Sequence, residues 1–121
     1  MTVHLVSCGV SVAPPPVEAD MVFDCLNIPD PSPVVHDLPG TEPVTASVIK
    51  TANPLVTDYL SAAAMSVQFL HELRGSDILV VFACSAGWHR SVYAAEKVAG
   101  MLCDAGIQVR LAHRDLGTEK L

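Results

Sequence analysis

An apolar run that leads into a short glycine-containing segment, and then into an alanine-rich one, constrains this chain most strongly. Residues 78–83 are ILVVFA, residues 84–91 are CSAGWHRS, and residues 92–102 contain three alanines and two valines. An unbroken apolar run is typical of a strand buried on both faces, as in a parallel sheet. The pattern therefore predicts a strand, a tight turn at Gly87 and a helix, in that order.

Residues 84–91, called the anion loop below, offer several groups that bind negative charge. Phosphate and other anions bind at helix starts because the amide N–H groups there lack partners and the helix dipole is positive. The side chains of the loop add a guanidinium, an imidazole, a thiol and two hydroxyls. We expect a phosphorylated small molecule or an inorganic anion to bind at Cys84, Ser85, Gly87, His89, Arg90 and Ser91.

Short apolar and β-branched runs predict three further strands, at residues 3–8, 21–26 and 107–113. Strands that alternate with helical patterns indicate an α/β fold, and a strand–helix–strand crossover joins parallel strands. We expect a single domain over residues 1–121. Its sheet is mostly parallel with about four strands, and helices cover both faces in a three-layer arrangement.

The segments between these strands predict a helix and a loop. Apolar residues at helical spacing predict a helix over residues 54–74, with Asn53 as its N-cap and Gly75 at its end. Residues 28–43 contain five prolines and predict an irregular loop. Residues 44–50 fit a short helix or a strand equally well.

Three polar residues at other strand ends extend the candidate site. In open α/β sheets, ligands bind at the carboxyl ends of the strands. If all four strands run parallel, Asp24, His113 and Arg114 lie at the same edge as the anion loop. These residues therefore join the candidate ligand-binding set.

The charge of the chain argues against RNA and other nucleic acids as partners. The 121 residues contain 7 Lys and Arg against 13 Asp and Glu, which gives a net charge of −6. Nucleic-acid binding normally needs a basic face. Five of the seven bases lie in residues 84–121, which suits a local anion site on an acidic protein.

Composition also indicates where the protein acts. No apolar stretch reaches the roughly 18 residues of a membrane span, and the first residues lack the basic start of a secretion signal. The four cysteines show no CxxC pair, which predicts reduced thiols rather than disulfides or a metal site. We expect a cytoplasmic protein without a cofactor, a metal or a membrane partner.

The loop spacing is similar to that of cysteine-dependent phosphatases. Cys84-x-x-Gly87-x-x-Arg90-Ser91 matches their phosphate loop, in which a thiolate attacks phosphorus and an arginine holds two phosphate oxygens. In that alternative Cys84 is the nucleophile, Arg90 is the clamp, and Asp24 or Asp30 is the general acid. Ala83 stands where the phosphatase signature usually has histidine.

A second resemblance covers nearly the whole chain. Residues 20–24 are DMVFD, residues 28–31 are IPDP, residues 84–92 are CSAGWHRSV and residues 113–116 are HRDL. In this order they resemble the C-terminal domain of the RNase adapter protein RapZ family, as a stand-alone domain. The resemblance implies a non-catalytic sensor or adapter that binds glucosamine-6-phosphate through Asp24, Cys84, Ser85, Gly87, His89 and Arg90.

The chain departs from the family pattern at three kinds of position. Ala86 stands where the family has glycine, and Leu26 stands where it usually has arginine. The tail, residues 117–121, carries one base and one acid where the family has a basic tail for RNA. A third alternative is an interaction module, with the proline-rich loops as a docking surface for a protein partner, and a homo-oligomer remains open.

Overall fold

Four parallel strands form one sheet in the computed structural model, which describes residues 1–116. The strands are β1 (Val3–Gly9), β2 (Met21–Asp24), β3 (Ile78–Cys84) and β4 (Val109–His113), and their order in the sheet is β2-β3-β1-β4. β1 pairs in parallel with β3 and β4, and β2 pairs in parallel with β3. The predicted α/β class and parallel sheet are confirmed. The predicted polar tail at residues 117–121 lies outside the described residues.

Four helices connect or precede these strands: α1 (Ser32–Val35), α2 (Pro43–Ala52), α3 (Leu55–Arg74) and α4 (Arg90–Asp104). The segment that fitted a helix or a strand equally well is helical and forms most of α2, and the proline-rich loop contains the single turn of α1. No helix within residues 1–116 combines the length and the apolar character that crossing a membrane requires.

The predicted end of α3 at Gly75 is confirmed, whereas its start is corrected: the helix begins at Leu55, and Pro54 rather than Asn53 is the N-cap residue. The Leu55 amide still donates to Asn53 Oδ1 at 3.1 Å, two residues before it. Gly75 follows the last turn with φ 67°, and its amide donates to the His71 carbonyl. A left-handed residue at this position is the usual helix stop, and glycine adopts it without steric cost.

The two long helices pack on the same face of the sheet. The crossovers from β2 to β3 and from β3 to β4 proceed in the same direction across the sheet, so right-handed connections place α3 and α4 together. The two helices contact each other, and their buried residues form one core with Leu5, Val80 and Phe82. The expected three-layer arrangement with helices on both faces is therefore corrected.

The other face of the sheet is covered by a loop. The β1–β2 connection, residues 10–20, crosses the sheet in the opposite direction and contains turns rather than a helix. Ala19 from this connection packs against a small buried cluster of Cys8, Val81 and Ala83. A right-handed connection that runs from β1 to β2, opposite to the other two crossovers, lies on the second face of the sheet. This explains why the loop and the two long helices are on different faces.

The parallel register brings the strand ends together at one edge. Gly9 lies beside Cys84, Asp24 lies beside Ala83, and Ser7 lies beside His113. The prediction that the strand ends lie at one edge of the sheet is thus confirmed for the backbone.

Candidate functional site

The anion loop is fixed to the end of β1 by its backbone. The Val10 amide donates to the Cys84 carbonyl at 2.8 Å, and the Ser11 amide donates to the Ser85 carbonyl at 2.9 Å. Gly87 has φ 77°, and a Cβ there would lie 2.7 Å from the Gly9 nitrogen. A Cβ on Gly9 would in turn overlap the carbonyl group of Ala86. The predicted turn at Gly87 is confirmed, and its shape depends on two glycines.

Arg90, the first residue of α4, connects the anion loop to the strand end of β2. Its Nη1 donates to the Leu26 carbonyl at 2.9 Å and to the Ile28 carbonyl at 3.5 Å. Its Nη2 donates to Ser85 Oγ at 3.2 Å. Arg90 thus donates three hydrogen bonds, and a guanidinium has five N–H bonds. The three hydrogen bonds fix the plane of the guanidinium at the start of the helix.

His89 occupies the N-cap position of α4 and is buried. Its side chain makes no capping hydrogen bond to the helix. Instead, Nε2 lies 3.1 Å from the His36 carbonyl, so Nε2 carries the proton and donates it. The N-cap residue of α4 therefore supplies no side-chain hydrogen bond to the amides at the start of the helix.

The proline-rich loop forms the outer wall of the site. Gly40 donates its amide to the Trp88 carbonyl at 2.8 Å, and a Cβ on Gly40 would overlap the His89 carbonyl. Between this wall and the anion loop lies a cavity of about 210 Å³, smaller than the ~300 Å³ at which drug-sized pockets begin. Its lining residues are Asp30, Ser32, His36, Cys84, Ser85, Ala86, Trp88, His89 and Arg90.

Cys84 and Ser91 form a buried pair at the inner end of this cavity. The Cys84 Sγ donates to Ser91 Oγ at 3.1 Å. Both side chains are buried, and only Cys84 belongs to the cavity lining. Ser91 therefore accepts a hydrogen bond from the thiol without lining the cavity itself.

Asp24 lies beside a different cavity. Its Oδ1 accepts the Leu26 amide at 2.7 Å, and its carbonyl accepts the Tyr59 hydroxyl at 2.9 Å. With Asn27 and Asn53 it lines a neighbouring cavity of about 260 Å³ at the start of α3. The carboxylate predicted to read the ligand is thus at the predicted edge of the sheet but outside the anion-loop cavity.

Asp30 supplies the carboxylate of the anion-loop cavity. Burial raises the pKa of Asp30, but hydrogen bonds from the amide and hydroxyl of Ser32 and the charges of Arg90 and His89 outweigh it and leave the pKa below its ordinary value. The Ser32 amide donates to Asp30 Oδ1 at 3.0 Å. Asp30 is therefore ionised at neutral pH, next to the guanidinium. The sequence indicated Asp30 only as an alternative general acid.

His113 and Arg114 lie across β1 from the anion loop. His113 Nδ1 is 2.6 Å from Ser7 Oγ, and Nε2 is 3.5 Å from Glu96 Oε1. Arg114 donates to the carbonyls of Ala13 and Pro14, each at 2.7 Å. Neither residue lines the anion-loop cavity, so their contact with a ligand stays a prediction.

Asp115 is a buried residue that the sequence analysis included in the HRDL motif but not in the candidate ligand-binding set. Its Oδ2 accepts the Gly9 amide at 2.6 Å and the Arg114 Nη2 at 3.0 Å. The hydrogen bonds that Arg114 donates to the Asp115 carboxylate raise the pKa of Arg114. A Cβ on Gly87 would lie 3.0 Å from the Asp115 Cβ, so this carboxylate supports the contact between the two glycines. Two sequence signals were available for Asp115: its charge directly after a strand end, and its place in the HRDL motif.

Parallel strands, with a glycine loop that leads into a helix and an arginine at the helix start, define an α/β domain whose candidate site lies at the carboxyl edge of its sheet. The chain belongs to the RapZ C-terminal domain family, whose family model matches residues 1–117. The resemblance of the four motifs is thereby confirmed.

Curated relatives match over most of this chain. A nucleotide-binding protein of Thermobifida fusca is 34% identical over 109 residues, which cover 86% of this chain and 37% of the relative. A nucleotide-binding protein of Laribacter hongkongensis is 36% identical over 108 residues, which cover 84% of this chain and 38% of the relative. The chain thus spans little more than a third of the length of these relatives.

Proposed function

We propose that the anion-loop cavity binds a phosphorylated small molecule, specifically an amino-sugar phosphate such as glucosamine-6-phosphate, as a non-catalytic sensor or adapter. The observation that carries this proposal is the position of Arg90. Its guanidinium stands at the start of α4, fixed by the Leu26 carbonyl and the Ser85 hydroxyl. A fixed guanidinium beside helix amides is complementary to a phosphate dianion.

The carboxylate of Asp30 supports the amino-sugar part of the proposal. An ionised carboxylate inside a phosphate cavity repels a simple dianion but attracts the ammonium of an amino sugar. Asp30 and Arg90 line the same cavity, so one small zwitterionic ligand can contact both. Asp24, from its neighbouring cavity, remains a proposed second contact.

The names of the relatives agree with a small phosphorylated ligand. They are called nucleotide-binding proteins, and a nucleotide also carries phosphate. Because this chain spans about a third of them, their nucleotide site and any RNA or protein partner stay proposals for this chain. A metabolite sensor with reduced thiols suits the cytoplasm, where we expect it to act.

A thermal-shift screen tests this proposal. Glucosamine-6-phosphate, other sugar phosphates and inorganic sulfate are compared on the wild-type protein and on Arg90→Gln. A ligand at 100 times its Kd adds about 2.7 kcal/mol of stability, which shifts Tm by on the order of 10 °C in a domain of this size. Absence of any shift, or equal shifts in wild type and Arg90→Gln, would refute the proposal.

A cysteine-dependent phosphatase is the second candidate, favoured by the buried contact between Cys84 and Ser91. Such an enzyme needs a protonated acid for the leaving group. Asp30 has a lowered pKa, and Asp24 lines the other cavity. We therefore expect no hydrolysis of an aryl phosphate. Turnover that Cys84→Ser abolishes would establish the enzyme instead.

A further inference from the structure

Two buried cysteines are neighbours where strands β2 and β3 end. In the β2–β3 ladder Asp24 pairs with Ala83. The next residues along these strands are Cys25 and Cys84, and the Cys25 amide continues the ladder by donating to the Ala83 carbonyl at 2.8 Å. Neighbouring strands lie about 4.8 Å apart, which is inside the Cα separation of about 4.4–6.8 Å that a disulfide spans.

The two thiols also lie on the same face of the sheet. Cys25 and Cys84 belong to the core cluster packed under α3 and α4, where they are 0% and 3% exposed. Cys8 belongs to the small cluster on the opposite face, and Cys103 is exposed in the last turn of α4. Burial raises the pKa of the Cys25 thiol, and the neighbouring Cys84 raises it further. Register and burial therefore single out one pair among the four cysteines.

The residues that directly follow these two cysteines hold Arg90. Its Nη1 donates to the Leu26 carbonyl and its Nη2 donates to Ser85 Oγ. A covalent bond between Cys25 and Cys84 therefore sets the separation of the two groups that orient the guanidinium.

We propose that Cys25 and Cys84 are a redox pair that a peroxide converts to a disulfide, and that this disulfide regulates the anion loop. Cys84 lines the anion-loop cavity, whereas Cys25 lines neither of the two cavities described above. A molecule as small as hydrogen peroxide thus meets Cys84 first. Disulfides of cytosolic proteins are usually transient and redox-sensing, which suits a pair that is reduced at rest.

The oxidation takes two steps. The Cys84 thiolate attacks one peroxide oxygen, the O–O bond breaks, and hydroxide leaves, so the sulfur is oxidised to a sulfenic acid while the peroxide is reduced. The Cys25 sulfur then attacks the Cys84 sulfur, the S–O bond breaks, and the departing hydroxide takes the Cys25 proton as water. The sum is two thiols and one peroxide giving one disulfide and two waters. Because burial keeps Cys25 protonated, the second step is the slower one.

The disulfide weakens phosphate binding at the anion loop, a consequence that rests on the function proposed above. The Cys84 sulfur turns towards Cys25 and loses its hydrogen bond to Ser91 Oγ at 3.1 Å. The separation of the two acceptors of Arg90 changes at the same time, so the guanidinium is no longer aligned with the helix start. The loss of one hydrogen bond corresponds to about a fivefold loss of affinity.

Peptide mapping of the wild-type protein tests the redox pair without any ligand. The protein is treated with hydrogen peroxide, its remaining thiols are blocked, and it is cleaved after acidic residues without reduction. Acidic residues lie between every two of the four cysteines, so each cysteine is in a separate peptide. We expect one cross-linked species that joins the peptides of Cys25 and Cys84 and that dithiothreitol removes. The proposal is overturned if the cross-link is absent or joins a different pair.

Two variants test the assignment of the steps. Cys25→Ser removes the cross-link and leaves Cys84 as a sulfenic acid that dimedone labels. Cys8→Ser is the matched control, since Cys8 is equally buried but lies on the other face, and this variant retains the cross-link. The wild-type map decides even where Cys25→Ser fails to fold.

Calorimetric titration of inorganic phosphate and of glucosamine-6-phosphate into the reduced and the oxidised wild-type protein tests the regulation. We expect an affinity at least about fivefold lower in the oxidised protein, and dithiothreitol restores it. Equal affinities of the two forms overturn the regulatory part of the proposal. A reduced protein that binds neither ligand refutes the proposed function instead, and the peptide map still decides whether the redox pair exists.

Discussion

Gly87 lies so close to Gly9 that a Cβ on Gly87 would be 2.7 Å from the Gly9 nitrogen. This contact joins the anion loop to the end of β1. The Asp115 carboxylate stabilises it by accepting a hydrogen bond from the Gly9 amide. The shape of the candidate site therefore depends on backbone packing as much as on its charged side chains.

Gly87→Ala is expected to destabilise the protein and to abolish anion binding. The substitution places a side chain at φ 77° and against the backbone of β1, which costs about 2 kcal/mol or more. Chemical denaturation measures the free energy of unfolding. Gly100→Ala is the control, because a Cβ there meets no atom within 4 Å and alanine favours the α4 helix by about 0.5–1 kcal/mol. Equal effects of the two substitutions would contradict the packing account.

Asp30→Asn is expected to change ligand preference rather than simply to weaken binding. Removing the carboxylate weakens glucosamine-6-phosphate about tenfold, since a charged hydrogen bond to the amine is lost. The same change strengthens inorganic phosphate, because a repulsive charge leaves the cavity. Competition binding with both ligands measures the ratio. If Asp24→Asn changes that ratio and Asp30→Asn does not, the amine contacts Asp24 instead.

The stability of the protein is expected to fall on acidification. A hydrogen bond from the Leu79 amide lowers the pKa of Asp20, and one from the Thr2 amide lowers the pKa of Asp77. Asp30 also has a lowered pKa. A carboxyl group with a lowered folded pKa contributes stability above its unfolded pKa of about 3.9, and the contribution is lost as the pH falls through the folded value.

Urea denaturation at several pH values below about 5 measures this loss. Asp77→Asn should show a shallower decline of the unfolding free energy than the wild type, because one of the three linked groups no longer titrates. A decline of equal slope in both proteins would show that Asp77 is not linked to folding.

Local patterns in the sequence predicted most of the elements. The apolar run at residues 78–83 and the glycines at 75 and 87 act through nearest neighbours, so their strand, helix stop and turn could be predicted. Strand order could not be predicted in this way, because it depends on the direction of each crossover. The expectation of helices on both faces was wrong for that reason.

The site was predicted less completely than the fold. Arg90, His89 and Cys84 lie in the cavity as their spacing in the anion loop indicated. Asp30 lies in a proline-rich segment without periodicity, so the sequence indicated it only as an alternative general acid and not as part of the ligand-binding set. Asp24 was the stronger sequence candidate because it ends strand β2. In the structure its carboxylate accepts the Leu26 amide in an Asx turn, and Asp24 lines the adjacent cavity.

Calorimetric titration of glucosamine-6-phosphate into the wild-type protein and Arg90→Gln tests the central claim most directly. We predict one ligand per chain for the wild type, and binding about 100-fold weaker in Arg90→Gln, because the charged fork to phosphate is lost. Gly100→Ala should bind like the wild type. An absence of binding to the wild type, or equal affinities in wild type and Arg90→Gln, would contradict a phosphate site at the anion loop.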